Sequence, residues 1–219
     1  MEASLVGSEM CIRDSYKGSL KKMRSNQLGS IVIKEVLKKS KFDNDEVDEV
    51  IMGQVLTAGE GQNPARQAAV NAGIPISKPA YIVNQVCGSG LRAVISGFQS
   101  IKLGESKNVI SGGQENMSIA PHSIFFRDKE KITEKDLSDT MINDGLIDAF
   151  NNYHMGVTAE NVAEKWNITR DEQDNFALNS QSKVQDAIKK KKFEDEIIKN
   201  ESYKSFKDDI GFVCSSYFV

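Results

Sequence analysis

The sequence predicts an α/β protein with a mixed, mostly parallel sheet and helices on both faces. Segments rich in β-branched residues alternate with segments whose apolar residues recur at helical spacing, as in successive βαβ units. The 219 residues are 39% hydrophobic and 27% charged, a composition typical of a globular chain that can bury a large core.

The first part of the chain carries this alternation clearly. Residues 27–39 predict an amphipathic helix, because their apolar side chains recur every three or four positions. Residues 47–56 predict a strand, since they are mostly β-branched or apolar. Asn63 followed by Pro64 is a favourable N-cap and first-turn pair, so a second helix is expected through residue 72.

A second strand–helix–strand series follows. Residues 80–86 predict a strand, residues 91–103 a helix that ends at Gly104, and residues 108–111 another strand. The helix is apolar over most of its length, so we expect residues 91–101 to be buried.

A cysteine lies between this strand and this helix. Gly88 and Gly90 allow a tight turn after Cys87. The thiol would face the positive end of a helix, which favours the thiolate, much as a strand–turn–helix elbow exposes the serine nucleophile of other α/β enzymes. A lone cysteine beside an apolar run is, however, usually a small buried hydrophobe without chemistry. The turn therefore favours a nucleophile without excluding a structural residue.

The regular alternation stops after Gly113. Residues 113–156 predict a long excursion that is either functional or disordered, and its scattered apolar side chains argue against plain disorder. Thr169 and Glu172 form a capping box that opens a further helix, which is expected to end at residues 189–192.

Composition excludes several functional classes. The net charge of −3 provides no basic surplus for nucleic acid, and no apolar run approaches the length of a membrane helix. Three cysteines do not form a disulfide framework, and the first residues lack the apolar segment of a secretory signal. We therefore expect a cytoplasmic protein without a nucleic-acid or membrane partner.

Six ordered segments carry a more specific signal: residues 53–69, 84–93, 112–122, 140–146, 153–161 and 170–177. Together they resemble the thiolase family, in particular its short-chain acetyl-CoA acetyltransferases, over about residues 16 to 200. The resemblance implies the N-terminal half of a thiolase-like layered fold with an extended loop domain. It also implies four regions: a non-native leader at 1–15, the first part of the nucleophile-bearing domain at 16–112, the loop domain and following helices at 113–200, and a divergent truncated tail at 201–219.

The resemblance also assigns a site. It implies that Cys87 forms an acyl-enzyme and that His154, Met155 and Leu146 contact the substrate, whereas His122 is expected to be structural. It implies acetyl-CoA and acetoacetyl-CoA as substrates, with no permanently bound cofactor and no metal. It further implies a homo-oligomer, a dimer or a tetramer, when the protein is full length.

Three family motifs are absent from the 219 residues: a Gly-His-Pro type histidine, a second cysteine in a Cys-x-Gly-Gly-Gly type motif, and an Asn-Glu-Ala-Phe type motif. We therefore expect an N-terminal fragment that is inactive alone. Three alternatives stay open. They are a 3-ketoacyl-CoA thiolase of fatty acid oxidation, a self-contained cysteine hydrolase that pairs Cys87 with His122 or His154, and a non-catalytic half-thiolase interaction module.

Overall fold

A computed structural model describes residues 16–18, 20–127, 131, 133–192, 194, 197–198 and 217–218. The expected leader and nearly all of the expected tail lie outside these residues. The helices are α1 (Ser25–Ser40), α2 (Pro64–Asn71), α3 (Ser89–Leu103), α4 (Thr140–Gly145), α5 (Met155–Trp166) and α6 (Arg170–Lys189). The strands are β1 (Glu49–Gly53), β2 (Ala80–Val83), β3 (Val109–Gly113), β4 (His122–Ser123), β5 (Ser138–Asp139) and β6 (Tyr217–Phe218).

The main sheet has the strand order β2-β1-β3-β6. Strand β1 pairs in parallel with both β2 and β3, so that Ile51 lies opposite Tyr81 on one side and Ser111 on the other. Strand β6 pairs antiparallel to β3. The sheet is therefore mixed and mostly parallel, which confirms the predicted fold class.

Helices cover both faces of this sheet. On one face, Val50 and Met52 of β1 belong to the same buried cluster as Ile33 of α1 and Ala68 of α2. On the other face, Ile51 packs with residues of α3 and β3. This division follows from the strand itself, because successive side chains point to opposite faces. It confirms the predicted helices on both faces.

Helix α3 is buried on only one of its sides. Ala93, Gly97 and Ser100 are buried against the sheet, but the side chains of Leu91, Ile95 and Phe98 are 37%, 38% and 44% exposed. The prediction of a buried helix is therefore confirmed for one face and wrong for the other. The described residues cover this outer face only in part.

Two strands are shorter than their sequence patterns predict. Strand β1 ends at Gly53 rather than at residue 56, and β2 ends at Val83 rather than at residue 86. In both places the chain continues into a turn that is held by hydrogen bonds outside the sheet ladder. Helix α3 correspondingly begins at Ser89, two positions before the predicted residue 91.

Beyond Gly113 the described elements are short until α5. They comprise a 3-10 turn at Met117–Ile119, the two-residue pair β4–β5, another 3-10 turn at Glu134–Asp136, and α4. Helices α5 and α6 follow, and neither contains a buried residue. No helix in the described part of the chain has the length and apolar character needed to cross a membrane.

Candidate active site

The candidate site lies at the carboxyl edge of the parallel strands. The loops after β1, β2 and β3 begin side by side, because Gln54 N donates to Val83 O at 3.1 Å and Gln114 N donates to Gly53 O at 2.9 Å. Parallel strands bring their carboxyl ends to one edge of a sheet, where the ligands of α/β proteins bind.

Cys87 lies in the loop between β2 and α3. It is exposed and comes one residue before Gly88, the N-cap of α3. Cys87 therefore comes just before the N-terminus of α3, the end at which the helix dipole favours negative charge. The structure thus gives Cys87 the position that the sequence predicted, and its exposure does not fit the alternative of a buried structural cysteine.

The turn that carries Cys87 is strained at the preceding residue. Val86 has φ +48°, a conformation that is a clear outlier for a β-branched side chain. Asn84 Oδ1 accepts from Val86 N at 3.0 Å, forming a local turn. Such strain costs about 1–3 kcal/mol and persists only where surrounding contacts hold it.

A buried hydroxyl holds this turn. Ser89 is fully buried, and its Oγ donates to Val86 O at 2.6 Å while accepting from Gln85 N at 2.8 Å. Ser89 is not among the functional residues predicted from the sequence. Its position in the first turn of α3, two residues after the cysteine, was the signal available.

Close packing fixes the start of α3 against the sheet. An ideal Cβ on Gly53 would lie 2.4 Å from the carbonyl carbon of Ser89 and 2.5 Å from the nitrogen of Gly90. Both neighbours are backbone atoms, so a side chain at this position would require the helix and the strand to separate. Because Gly53 has no side chain, the start of α3 and the turn that carries Cys87 can pack directly against the end of β1.

Three predicted substrate residues lie together. Ile147 and His154 form an isolated antiparallel bridge, and Met155 N donates to Leu146 O at 2.8 Å. Leu146 is half-buried, whereas Met155 is 43% exposed and His154 is also exposed. The bridge gives the three side chains a common neighbourhood at the start of α5.

His154 caps α5 and thereby fixes its own tautomer. Its Nδ1 accepts from Gly156 N at 3.0 Å. In the neutral ring the proton must then be on Nε2, because one imidazole nitrogen donates when the other accepts. His154 therefore presents an N–H donor at Nε2, which can bind a carbonyl or water oxygen.

Neither histidine pairs with the cysteine. In the described part of the chain, no hydrogen bond joins Cys87 to His122 or His154. The Nε2 of His122 lies 3.9 Å from Asp139 Oδ2 across the β4–β5 pair. The cysteine-hydrolase alternative lacks the Cys–His contact that it requires.

A buried carboxyl joins the loops after β1 and β3. Glu115 Oε2 accepts from Val55 N at 2.8 Å and from Leu56 N at 3.1 Å. Burial raises the pKa of Glu115 to about 7; the backbone N–H groups of Val55, Leu56 and Asn116 oppose this shift, and the negative charge of Glu60 adds to it. Glu115 Oε1 is also buried, and no described residue donates a hydrogen bond to it. Glu115 lies in one of the six ordered segments, residues 112–122, but it is not among the functional residues predicted from the sequence.

A chain of hydrogen-bonded amides and hydroxyls ends at Glu60, whose negative charge acts on this carboxyl. Gln114 Nε2 donates to Gln54 Oε1 at 2.8 Å, and Gln54 Nε2 donates to Ser25 Oγ at 3.0 Å. Ser25 Oγ in turn donates to Glu60 Oε2 at 3.0 Å. The network joins α1 to the ends of β1 and β3, so hydrogen bonds from α1 help to hold the loops that border the site.

The described residues contain no group of three or more His, Cys, Asp or Glu side chains that could hold a metal ion. The arrangement presents an exposed thiol next to a helix start, beside loops that a polar network supports.

The fold and the cysteine turn define an α/β protein with an exposed thiol between a parallel strand and the helix that follows it. The sequence profile described as "Thiolase, N-terminal domain" matches residues 4–212, and the chain belongs to the thiolase family. This confirms the resemblance seen in the sequence. The assignments of site residues and the region boundaries stay predictions.

Similar curated proteins fall in the same family. The chain is 54% identical over 184 residues to an acetyl-CoA acetyltransferase of Rhizobium meliloti (strain 1021), covering 84% of the chain and 47% of that protein. It is 52% identical over 197 residues to one of Paracoccus denitrificans, covering 90% and 50%. A cytosolic acetyl-CoA acetyltransferase of Rattus norvegicus is 52% identical over 184 residues, covering 84% and 46%. The chain spans about half the length of these relatives.

Proposed function

We propose that this chain carries the acyl-accepting cysteine of an acetyl-CoA acetyltransferase. The observation that carries the proposal is the exposed Cys87 in a strained turn at the start of α3. Family membership and the names of relatives that are 50–54% identical support acetyl-CoA as a substrate and acyl transfer as the reaction.

The proposed chemistry begins with the thiolate of Cys87. In the cleavage direction, its sulfur attacks the 3-keto carbon of acetoacetyl-CoA, and the bond between carbons 2 and 3 breaks. The electron pair of that bond leaves on acetyl-CoA, which takes up a proton. The thiol of coenzyme A then attacks the acetyl-Cys87 thioester, giving a second acetyl-CoA and restoring the thiolate. Condensation is the reverse sequence, and division into two steps is the benefit of a covalent intermediate.

Three further residues are proposed to bind the thioester. His154 would donate from Nε2 to an oxygen of the substrate, because its Nδ1 already accepts from Gly156. Leu146 and Met155 would form the apolar wall, since the hydrogen bond between their backbones keeps them adjacent. Coenzyme A thioesters bind as substrates, without a permanently bound cofactor.

The active protein is proposed to include residues beyond these 219. Deprotonation of the nucleophile and of the second acetyl-CoA needs a base and an acid–base group, and the family motifs for both are missing from the chain. We propose that the complete protein is a homodimer or homotetramer. A cytosolic location is supported by the names of the rat and mouse relatives.

The first test is to read the contiguous gene and express its complete product. After brief exposure to acetyl-CoA, digestion and mass spectrometry are expected to locate an acetyl group on Cys87, and the purified protein should cleave acetoacetyl-CoA. The Cys87→Ala variant is the matched control and should lose both signals. Acetylation at a different cysteine, or turnover that survives Cys87→Ala, would overturn the proposal. A gene that ends without the missing motifs would favour the half-thiolase interaction module instead.

A further inference from the structure

The loop after β1 supports the predicted substrate wall. Leu56 is buried, and the position of an ideal Cβ on Gly145 lies 3.7 Å from Leu56 Cδ2. Leu56 therefore lies beside the last residue of α4, a glycine with no side chain of its own. The next residue is Leu146, whose carbonyl accepts from Met155 N at 2.8 Å. A displacement of Leu56 would thus alter the surroundings of the residue that precedes the Leu146–Met155 pair.

Two side chains hold the backbone of Leu56: Gln54 Nε2 donates to its carbonyl at 2.7 Å, and the Glu115 carboxyl accepts from its N–H. Glu115 Oε2 accepts from the backbone N–H groups of both Val55 and Leu56, at 2.8 and 3.1 Å. Two donors on consecutive residues fix the direction of the loop as well as its distance from β3. The bonded groups are about 60 residues apart in the chain, so no local turn would reproduce this geometry.

Two features of its buried environment make the Glu115 carboxyl unfavourable for the stability of the folded protein. Glu115 Oε1 receives no hydrogen bond from any described residue although it is buried, and a buried acceptor without a partner costs free energy. The neighbouring Glu60 carboxyl, which is also buried, adds like charge. A neutral or apolar residue would avoid both costs, but an apolar residue would leave two N–H groups without an acceptor.

We propose that Glu115 is a positioning residue of the acyl-CoA site, which holds the loop of residues 54–56 so that Leu56 supports Leu146 and Met155. This inference rests on the proposed function. Glu115 acts through Leu56 and does not touch the reacting atoms, so its loss changes the binding of the thioester more than the chemistry at Cys87.

The experiment compares three variants of the complete gene product. Glu115→Ala removes the acceptor, Glu115→Gln keeps one neutral acceptor, and Glu164→Gln makes the same change at an exposed carboxyl of α5. Glu115→Ala removes both hydrogen bonds to the loop, and we expect KM for acetoacetyl-CoA to rise about tenfold, with kcat unchanged. Glu115→Gln should lie between this variant and wild type, and Glu164→Gln should match wild type.

Amide hydrogen exchange provides a readout that does not need turnover. In both Glu115 variants, exchange should quicken in peptides that cover residues 54–57 and also in those that cover 145–156. Faster exchange confined to 54–57, or an unchanged KM, would overturn the inference because Glu115 would then be only structural. A wild-type protein without thiolysis would refute the proposed function. The amide exchange rates of residues 145–156 would still show whether Glu115 acts on these residues through Leu56. If Glu115→Ala does not fold, Glu115→Gln decides the result.

Discussion

Gly53→Ala tests whether the contact between β1 and α3 positions the cysteine turn. The new Cβ would lie 2.4 Å from Ser89 C, 2.5 Å from Gly90 N and 2.6 Å from Ser89 O. Ordinary contacts begin near 3.4 Å, so the start of α3 must move away from β1 by about 1 Å. Overpacking of this kind costs about 1–3 kcal/mol, and we expect the upper end because backbone atoms cannot rotate out of the way.

The same movement should affect acyl transfer. A misplacement of about 1 Å can cost about a hundredfold in rate, so acetylation of Cys87 in the complete protein should slow by that order. Stability is measured by urea unfolding monitored by circular dichroism, and acetylation is measured by rapid quench and mass spectrometry.

Gly145→Ala is the matched control for this prediction. Its Cβ would meet only Leu56 Cδ2, at 3.7 Å, and Gly145 is the last residue of α4. Replacing glycine by alanine in a helix is neutral or stabilising by up to about 1 kcal/mol. If Gly53→Ala unfolds at the same urea concentration as Gly145→Ala and acylates Cys87 at the wild-type rate, the packing argument is wrong.

Three other predictions concern single side chains. Ser89→Ala removes the buried hydroxyl that bonds Gln85 and Val86, and should lower the free energy of unfolding by about 1–3 kcal/mol; a wild-type rate of Cys87 acetylation in this variant would show that the strained turn does not need Ser89. Met155→Ala in the complete protein should raise kcat/KM for 3-ketooctanoyl-CoA relative to acetoacetyl-CoA, since removing the side chain enlarges the pocket and each buried methylene gains about 0.8 kcal/mol; a wild-type protein that already uses the longer thioester equally well would favour the fatty-acid-oxidation alternative. The third prediction concerns pH. Burial raises the pKa of Glu115 from 4.5 to about 7, so the folded state binds more protons than the unfolded state between these values. The contribution of Glu115 to stability is therefore full below pH 4.5 and is lost as pH rises to about 7. Urea midpoints measured across this range should fall more steeply for wild type than for Glu115→Gln, and parallel curves would contradict the reasoning.

The order of the elements could be predicted from the sequence because periodicity is a local property. Strand β2, the turn at Cys87 and helix α3 each depend on residues that are neighbours in the chain. The same holds for the capping box of Thr169 and Glu172, which the structure confirms at the start of α6. These features follow from local side-chain and backbone preferences, so they can be predicted before any tertiary contact is known.

Burial and conformation at the site could not be predicted in this way. An apolar helix face predicts burial, but Leu91, Ile95 and Phe98 on the outer face of α3 stay partly exposed because the described residues cover them only in part. Similarly, Val86 has strong β propensity and would not be expected at positive φ. It adopts that conformation because Asn84 and Ser89 hold both sides of the turn.

The sequence alone thus determined the fold class, the family and the position of the candidate nucleophile. Tertiary structure alone decided which groups support that nucleophile and the neighbouring loops. Glu115 accepts a hydrogen bond from Val55, about 60 residues earlier in the chain. The start of α3 packs against Gly53, which lies more than 30 residues before it. Such contacts depend on strand register and on how closely the helices pack against the sheet. Both arise only when distant segments pair in one sheet, so no local sequence pattern encodes them.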